Sequence, residues 1–486
     1  MRTLVTSRWV VGYDGRGHRL LENGVVVLED DRIIHVGRGF DGAVDRTIDA
    51  GRFGLVSPGF VDVHSHSGTH AGTKLIADAG RPELFGCGYL NYQVPGPGKQ
   101  TVSEPPGPGA RLYVWELLRN GITTAVDVGP GPDLAEAVVE TAGAFGLRLY
   151  VGPGFGDVGY QYDARGVIQY VPQPEAGRRR FEAAVAFVRR HDGAFGGRIR
   201  GLIVPAQVDT NSPELLRQAR SAASELGVPL STHVAQNLKE FHRILQTTGM
   251  TPVAFLEEIG FLGSDAILGH AIYTAEHPWS AYPGPPDLPR IADSGASVGH
   301  CPNAYSHRAL TMISFDRYRK AGVNVGLGTD TYPRDMIHEM RLASATNKLV
   351  EGDVLAAPAE AVFEAATLNG ARALGRDDLG RLAVGAKADL AIVDLGSPRI
   401  GVVRDPIRSL VQSATGEDVT TVIVDGRVVV EKGQVLGLDA AALRDECQAS
   451  AEAFWQAYGG WDPDGLAAEQ RFPPSLPAWV EGGSTT

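Results

Sequence analysis

The sequence predicts an α/β fold: a (β/α)₈ barrel of the TIM type, joined by a small β-sandwich that both chain ends build. Three observations support this fold class. Short β-branched segments alternate with longer helical patterns from Gly59 to about Gly375, alternating strands lie near both chain ends, and histidines recur where barrel strands end. At 486 residues the chain also exceeds what one simple core usually supports.

Eight candidate strands follow one another through the central region. They are GFVDVHSH from Gly59, GITTAVDVG from Gly121, LRLYVGPG from Leu147, IRGLIVPA from Ile199, PLSTHVAQ from Pro229, DAILGHAIY from Asp265, ASVGHCPN from Ala296 and NVGLGTD from Asn324. The intervening segment SPELLRQARSAASELG from Ser212 begins with Ser and Pro and ends with Gly, which is typical of a helix. Eight such units predict a closed barrel with its chemistry at the carboxyl ends of the strands.

The chain ends carry further strand patterns separated by Asp/Gly turns. NGVVVLEDDRIIHVG lies near the start, and ADLAIVDLG and VTTVIVDGRVVVEKGQV lie near the end. Neither half offers enough strands to bury a core alone, so we expect residues 1–57 and 385–437 to form one β-sandwich. The residues between them in sequence, 58–384, should form the barrel. Residues 438–486 should form a helical and then extended tail, whose aromatic residues suggest docking, with a dimer partner as one candidate surface.

A Gly/Pro-rich insertion, residues 86–109, follows the first barrel strand and cannot form regular structure for long. A lid over the barrel mouth and a passive surface loop both fit this composition. Tyr92, with Tyr89 beside it, is a candidate for stacking on a planar substrate, although aromatic residues in such loops often only hold the loop down.

The composition restricts the classes of binding partner and the cellular compartment that we expect. The formal charge of −12 without a basic block argues against nucleic acid, and it favours a neutral or cationic small molecule. No apolar run is long enough to span a bilayer and the N-terminus lacks a signal-peptide pattern, so we expect no membrane partner and a cytoplasmic location. The three cysteines are far apart in sequence, and Cys301 should be a buried packing residue.

Five side chains at predicted strand ends point to a metal site. His64 and His66 lie two residues apart and share one face of the first strand, while His233, His270 and Asp330 end the fifth, sixth and eighth strands. Two histidines alone would be weak support for a site, because a strand can hold them as hydrogen-bonded core residues. Together the five suit a borderline divalent cation, zinc by preference or iron(II), with one position open for water.

The segments SPGFVDVHSH, STHVAQ, ILGHA, VGHCPNAYS and NVGLGTD, in this order, resemble the amidohydrolase superfamily. The sequence is most similar to the branch of guanine, cytosine and adenosylhomocysteine deaminases and s-triazine hydrolases. The resemblance implies a homo-oligomer, a dimer by preference. It also implies that His64, His66, His233 and Asp330 bind the metal while His270 hydrogen-bonds the water or the substrate. Strand four lacks the lysine of binuclear members, which favours one metal ion.

Two positions depart from the family pattern. The deaminases carry a proton-shuttling Glu where this chain has Gln236, and they tend to carry His where it has Gln207. Gln cannot transfer a proton at neutral pH. Two residues are candidate replacements: Glu240, which we expect to face solvent because glutamates are seldom buried, and His307, for which ring contact and loop hydrogen bonding fit equally. Asn303 is a further candidate for substrate contact.

The predicted activity is hydrolytic removal of an amino or alkylamino group from a nitrogen heterocycle by a metal-bound hydroxide. Asp330 would act as general base, His270 would stabilise the developing oxyanion, and Gln236 would read the ring. The alternative reaction is hydrolytic dehalogenation or another C–X hydrolysis on a heteroaromatic ring. The alternative class is a non-catalytic scaffold, against which the complete set of ligands speaks.

Overall fold

The computed structural model describes residues 1–68, 96, 98–101, 104–163 and 167–479. Its strands are β1 Arg2–Tyr13, β2 His18–Glu29, β3 Arg32–Gly37, β4 Arg46–Asp49, β5 Gly54–Pro58, β6 Phe60–Ser65, β7 Ile122–Val128, β8 Arg148–Gly152, β9 Gly154–Phe155, β10 Val158–Tyr162, β11 Ile168–Pro172, β12 Ile199–Gly201, β13 Val204–Pro205, β14 Leu230–Val234, β15 Ala266–His270, β16 Ser297–His300, β17 Asn324–Leu327, β18 Leu390–Asp394, β19 Val419–Val424, β20 Arg427–Glu431 and β21 Gln434–Val435.

Helices separate most of these strands. They are α1 Pro106–Arg119, α2 Pro132–Phe145, α3 Pro174–His191, α4 Ala194–Gly197, α5 Pro213–Leu226, α6 Leu238–Thr248, α7 Pro252–Glu258, α8 Leu288–Ser294, α9 Pro302–Ser306, α10 Phe315–Lys320, α11 Met336–Glu351, α12 Ala359–Ala365, α13 Leu368–Ala373, α14 Pro406–Ser413, α15 Ala440–Ala457 and α16 Ala468–Arg471. The Ser212 pattern behaves as predicted: its hydroxyl caps α5 by accepting the Leu215 N–H, and Gly227 ends the helix in the left-handed region.

The central strands form a closed parallel barrel. Two four-stranded parallel sheets, ordered β12-β8-β7-β6 and β14-β15-β16-β17, supply its wall. Parallel bridges close the ring, between Ser65 and Asp330 on one side and between Ile203 and Leu230 on the other. The predicted TIM-barrel-like α/β fold is therefore confirmed, although the fourth strand is broken into β12 and β13.

Strands from both chain ends pair in one nine-stranded sheet, ordered β21-β20-β19-β18-β5-β1-β2-β3, with β4 beside β1. The two ends meet where β5 runs antiparallel to β18. Only Gly59 separates β5 from β6, so this pairing reaches the first barrel strand directly. The predicted pairing across the sequence is present, whereas the two packed layers of a sandwich and the domain boundaries stay predictions.

A buried arginine connects the barrel with the terminal sheet. Arg148 on β8 is 1% exposed, and it donates from Nε and Nη2 to both carboxylate oxygens of Asp389 at 3.1 and 3.2 Å. Its Nη2 also donates to Asp425 at 2.5 Å. Asp389 precedes β18, and Asp425 lies in the turn between β19 and β20. The guanidinium fork therefore fixes the barrel wall against two segments of the C-terminal strands.

The tail docks on its own chain. Ser450 on α15 donates to Glu104 at 2.9 Å, and the Cys447 thiol lies 3.7 Å from the Pro108 carbonyl oxygen at the start of α1. Beyond α15, the aromatic residues predicted to dock form a small buried cluster with one another. Among the helices of the described ranges, none combines the length and the apolar character that crossing a membrane requires.

Candidate metal centre

The side chains predicted to bind a metal converge at the carboxyl ends of the barrel strands. Ligand atoms of His64, His66 and His233 all lie within 4.8 Å of one another, and so do those of His64, His270 and Asp330. His64 belongs to both groups, so the five side chains form one cluster. Four of them are buried and His66 is partly exposed.

Backbone carbonyls orient two of the imidazoles. His66 Nδ1 donates to the Val128 carbonyl oxygen at 2.6 Å, and His233 Nδ1 donates to that of Ala206 at 2.5 Å. With their protons on Nδ1, both rings present Nε2 lone pairs toward each other at 3.1 Å. Two lone pairs at this distance repel, and a shared cation removes the repulsion. This is the arrangement by which carbonyl groups commonly fix metal-binding histidines.

The other two imidazoles have unsatisfied nitrogens. Within the described ranges, neither ring nitrogen of His64 or His270 has a hydrogen-bond partner, although both residues are buried. Leaving buried polar nitrogens unpaired costs free energy, so such groups usually indicate an unseen partner. His64 lies at the centre, with its ring centroid 4.4 Å from that of His270 and 4.8 Å from that of His233. The donor set therefore fits a divalent cation.

Burial sets the charge state of the cluster. It lowers the pKa of His66 and His233 to about 4, and it lowers the pKa of His64 and His270 well below the ordinary value. All four imidazoles are neutral near pH 7, which is the form that binds metals. Burial also raises the pKa of Asp330, the single carboxylate of the cluster.

Backbone geometry at the cluster is unusual. His270 has φ +93° and Asp330 has φ +54°, values that residues with a Cβ rarely adopt. Such conformations cost about 1–3 kcal/mol each and persist where surrounding structure enforces them. At Asp330 a buried carboxylate contributes to that enforcement, because Asp62 accepts the His64 N–H at 3.1 Å and the Thr329 hydroxyl at 2.6 Å. Asp62 thereby ties the strand of His64 to the segment of Asp330.

A buried ion pair that the sequence did not indicate also holds the backbone next to the cluster in place. Arg334 is 1% exposed and donates to the His66 carbonyl oxygen at 2.5 Å and to the buried Glu116 of α1. Its guanidinium also lies 4.8 Å from the ring centroid of Tyr113. Arg334 follows β17 without a motif around it, so only the folded chain reveals that it holds the segment after β6.

The position of Glu240 corrects an expectation. We expected this side chain to face solvent, but it is fully buried. Its carboxylate accepts the backbone N–H groups of Ala235 and Gln236, at 2.5 and 2.9 Å. The cause is local: α6 begins just before Glu240, capped by Asn237, so the first helical turn folds back onto the end of β14. Burial, with the neighbouring Asp209, raises the pKa of Glu240.

The two glutamines that replace family residues both reach this end of the barrel. Gln236 is buried, and its Oε1 accepts no hydrogen bond from the described residues. Gln207 pairs through its backbone with His233, and its Oε1 accepts the Tyr160 hydroxyl at 2.8 Å. Tyr160 comes from the β10–β11 hairpin, which the sequence did not predict, so this hairpin contacts a candidate substrate-binding residue.

The remaining candidates for substrate contact differ in placement. Asn303 is buried, and its amide is engaged: Nδ2 donates to the Tyr332 carbonyl oxygen at 2.9 Å and Oδ1 lies 3.3 Å from His338 Nε2. His307 is exposed at the end of α9. Tyr92 lies outside the described residues, as does most of the predicted lid. Residues 106–109 of that insertion belong to α1.

Glycine 269 leaves room for the central histidine, which leads to a prediction. A Cβ at Gly269 would lie 2.7 Å from His64 Cε1. We expect Gly269→Ala to displace the His64 ring, to lower the metal content of the purified protein and to cost about 1–3 kcal/mol of stability. Elemental analysis and thermal unfolding would measure both effects. Gly39→Ala is the control, since a Cβ at Gly39 meets no atom within 4 Å. Full metal occupancy in Gly269→Ala would refute this reading.

The geometry agrees with comparisons to known proteins. The sequence profile described as the amidohydrolase family matches residues 55–429. The chain is 33% identical over 431 residues to the 5-methylthioadenosine/S-adenosylhomocysteine deaminase of Halobacterium salinarum, covering 88% of this chain and 93% of the relative. It is 30% identical over 436 residues to the 5'-deoxyadenosine deaminase of Methanosarcina mazei, covering 89% and 94%.

Among solved structures, an adenosine deaminase from Xanthomonas campestris with bound zinc superposes with a TM-score of 0.77 at 23% identity, covering 93% of this chain and 98% of that one. This likeness concerns the fold. The profile match and the two relatives extend over most of the sequence, and they confirm the predicted enzyme family. The chain belongs to the amidohydrolase family.

Proposed function

We propose that this protein is a metal-dependent hydrolase that removes an amino or alkylamino group from a nitrogen heterocycle. The observation that carries the proposal is the buried cluster of four neutral imidazoles and one carboxylate at the mouth of the barrel. The relatives add the reaction type, since proteins about one-third identical over most of the chain are named as deaminases of adenine nucleosides.

In this proposal one divalent ion, zinc by preference, is held by His64, His66, His233 and Asp330. When bound, such an ion makes a water molecule acidic enough to ionise near neutral pH. Iron(II) would suit the same ligands. Elemental analysis of the purified protein distinguishes the two metals, and chelation followed by re-addition of each metal should abolish and restore activity.

The protein residues then divide the proton transfers. The Asp330 carboxylate, 3.4 Å from His66 Nε2, accepts the proton of the attacking water and returns it to the departing amine. His270, whose ring nitrogens lack protein partners in the described structure, stabilises the negative charge of the developing oxyanion. Gln236 donates and accepts hydrogen bonds at the ring edge.

The proposal is tested by measuring ammonia or amine release from purines, adenine nucleosides, pyrimidines, pterins and aminotriazines. We expect the zinc-loaded protein to turn over at least one of these classes. A panel without turnover by protein that contains stoichiometric metal would refute the proposal. Absence of bound metal after expression with added zinc would instead support the scaffold alternative.

Replacing Gln236 by glutamate tests its position. We expect Gln236→Glu to raise kcat on an aminoheterocycle by about 10-fold or more, because a positioned acid contributes about 10²- to 10⁴-fold. Gln236 is buried, and burial of a new carboxyl at this position should help to keep it protonated. An unchanged or lower kcat at full metal content would place Gln236 away from the reacting ring.

Gln236 also favours a second candidate reaction. Expulsion of a halide needs no proton on the leaving group, so hydrolytic dehalogenation would tolerate an amide where the deaminases have a carboxylate. Chloride release from chlorinated heterocycles, measured beside ammonia release, separates the two reactions. Chloride release without ammonia release would replace deamination as the proposed activity.

A further inference from the structure

An arginine that forms no ion pair with the described residues lies close to the candidate site. Arg308 follows α9 in a turn, where its backbone N–H donates to the Tyr305 carbonyl oxygen at 2.9 Å. Within the described part of the chain, its guanidinium forms no hydrogen bond and no ion pair, and the side chain is partly exposed. It lies against the ring of Tyr305, with Cζ 5.4 Å from the ring centroid.

Tyr305 lies between this cation and the cluster of histidines. The tyrosine is 2% exposed, and its ring centroid lies 4.5 Å from that of His270. The charge of Arg308 reaches the cluster, since it opposes the burial that raises the pKa of Asp330 and adds to the burial that lowers the pKa of His66. Arg308 is therefore a neighbour of the site, and its guanidinium forms no ion pair with a carboxylate of the described residues.

We propose that Arg308 binds a carboxylate carried by the heterocyclic substrate and so selects anionic substrates. This inference rests on the proposed function. A guanidinium presents a planar pair of donors that matches a carboxylate, and its stacking on Tyr305 restricts the orientation of that pair. Gln236 and Gln207 are uncharged, so neither repels an anion. The net charge of the chain suggested a neutral or cationic ligand, but the local charge at the mouth is the relevant one.

The experiment compares matched substrates. Each ring class turned over by the protein is offered as a carboxylate and as the corresponding carboxamide, for example adenosine-5'-carboxylate and adenosine-5'-carboxamide. We expect kcat/KM to favour the carboxylate by about 10- to 100-fold, the usual worth of a hydrogen bond to a charged group. We expect Arg308→Met to bring this ratio close to 1 and Arg308→Lys to keep part of it. Added salt should reduce the preference.

Binding to metal-free protein provides a readout without turnover. Calorimetry should give a lower Kd for the carboxylate than for the carboxamide, and Arg308→Met should remove the difference. Arg404→Met is the matched control, because Arg404 is exposed on the loop before α14, away from the site, and should leave both ratios unchanged. A phosphorylated analogue tests whether the preference extends to other anions.

The outcomes separate the two proposals. A preference that is absent, or that survives in Arg308→Met, overturns the role of Arg308 and leaves the deaminase proposal standing. Equal loss on both substrates in Arg308→Met would make Arg308 a countercharge for Asp330, which also overturns the inference. Failure of every carboxylate and carboxamide to react refutes the proposed function, and the inference falls with it.

Discussion

Replacing Asp330 with asparagine is expected to lower kcat for amine release by about 10²- to 10⁴-fold, because an amide cannot accept the proton of the attacking water. The substituted side chain nearly preserves the shape of the site, in which Asp330 is 4% exposed. Two backbone hydrogen bonds do not depend on the side chain: Asp330 N donates to the His64 carbonyl oxygen on β6, and His66 N, just after β6, donates to the Asp330 carbonyl oxygen. Steady-state kinetics at saturating substrate would measure the loss.

Metal content must be measured on the same preparations, since an amide is a weaker ligand than a carboxylate. Asp41→Asn, at an exposed loop position, should leave both kcat and metal content unchanged. Activity within tenfold of the unaltered protein in metal-replete Asp330→Asn would remove Asp330 from its proposed role as general base.

Replacing Arg148 with methionine is expected to lower the free energy of unfolding by about 3–5 kcal/mol. The substitution leaves the Asp389 carboxylate buried without its guanidinium partner, whereas Asp425 keeps Lys387 at 3.1 Å. A buried carboxylate without a counter-charge is strongly unfavourable, so the unpaired Asp389 should account for most of the loss in stability. Thermal and urea-induced unfolding, monitored by circular dichroism, would measure the loss.

Adding Asp389→Asn to Arg148→Met should recover part of the lost stability, since it removes the orphaned charge. Arg404→Met again serves as control, because an exposed arginine outside the described ion pairs should change stability by less than about 0.5 kcal/mol. A loss below 1 kcal/mol in Arg148→Met would mean that packing, and not this ion pair, holds the barrel against the terminal sheet.

Much of the candidate site could be predicted because its residues depend on strand geometry alone. Because side chains two residues apart share one face of a strand, the sequence placed His64 and His66 together. Because the strands of a parallel barrel end at the same rim, it placed His233, His270 and Asp330 beside them. Their ligand atoms lie together in the structure. The periodicity of the terminal strands likewise predicted that distant segments would pair, as β5 and β18 do.

The rest depended on contacts that no local pattern encodes. Glu240 is buried because the turn before α6 returns its carboxylate to the end of β14, which composition cannot reveal. The partners of Arg148 and Arg334 lie more than 200 residues away in sequence. The β10–β11 hairpin is rich in the β-branched and aromatic residues that favour strands, but it lies outside the eight barrel strands and its two strands pair with each other. Single charged residues therefore became informative only once the fold was known.

The pairing of β5 with β18 also has a consequence for when the chain can complete its fold during synthesis. A ribosome delivers β5 and His64 more than 300 residues before β18 emerges, so β5, which directly precedes the first barrel strand, lacks this sheet neighbour through most of translation. Until then, nascent chains should expose their imidazoles on an unfinished scaffold and should hold a cation loosely. We therefore expect stable metal binding only after β18 has paired with β5. We also expect loss of β18–β21 to remove activity, although the proposed ligands lie outside those strands.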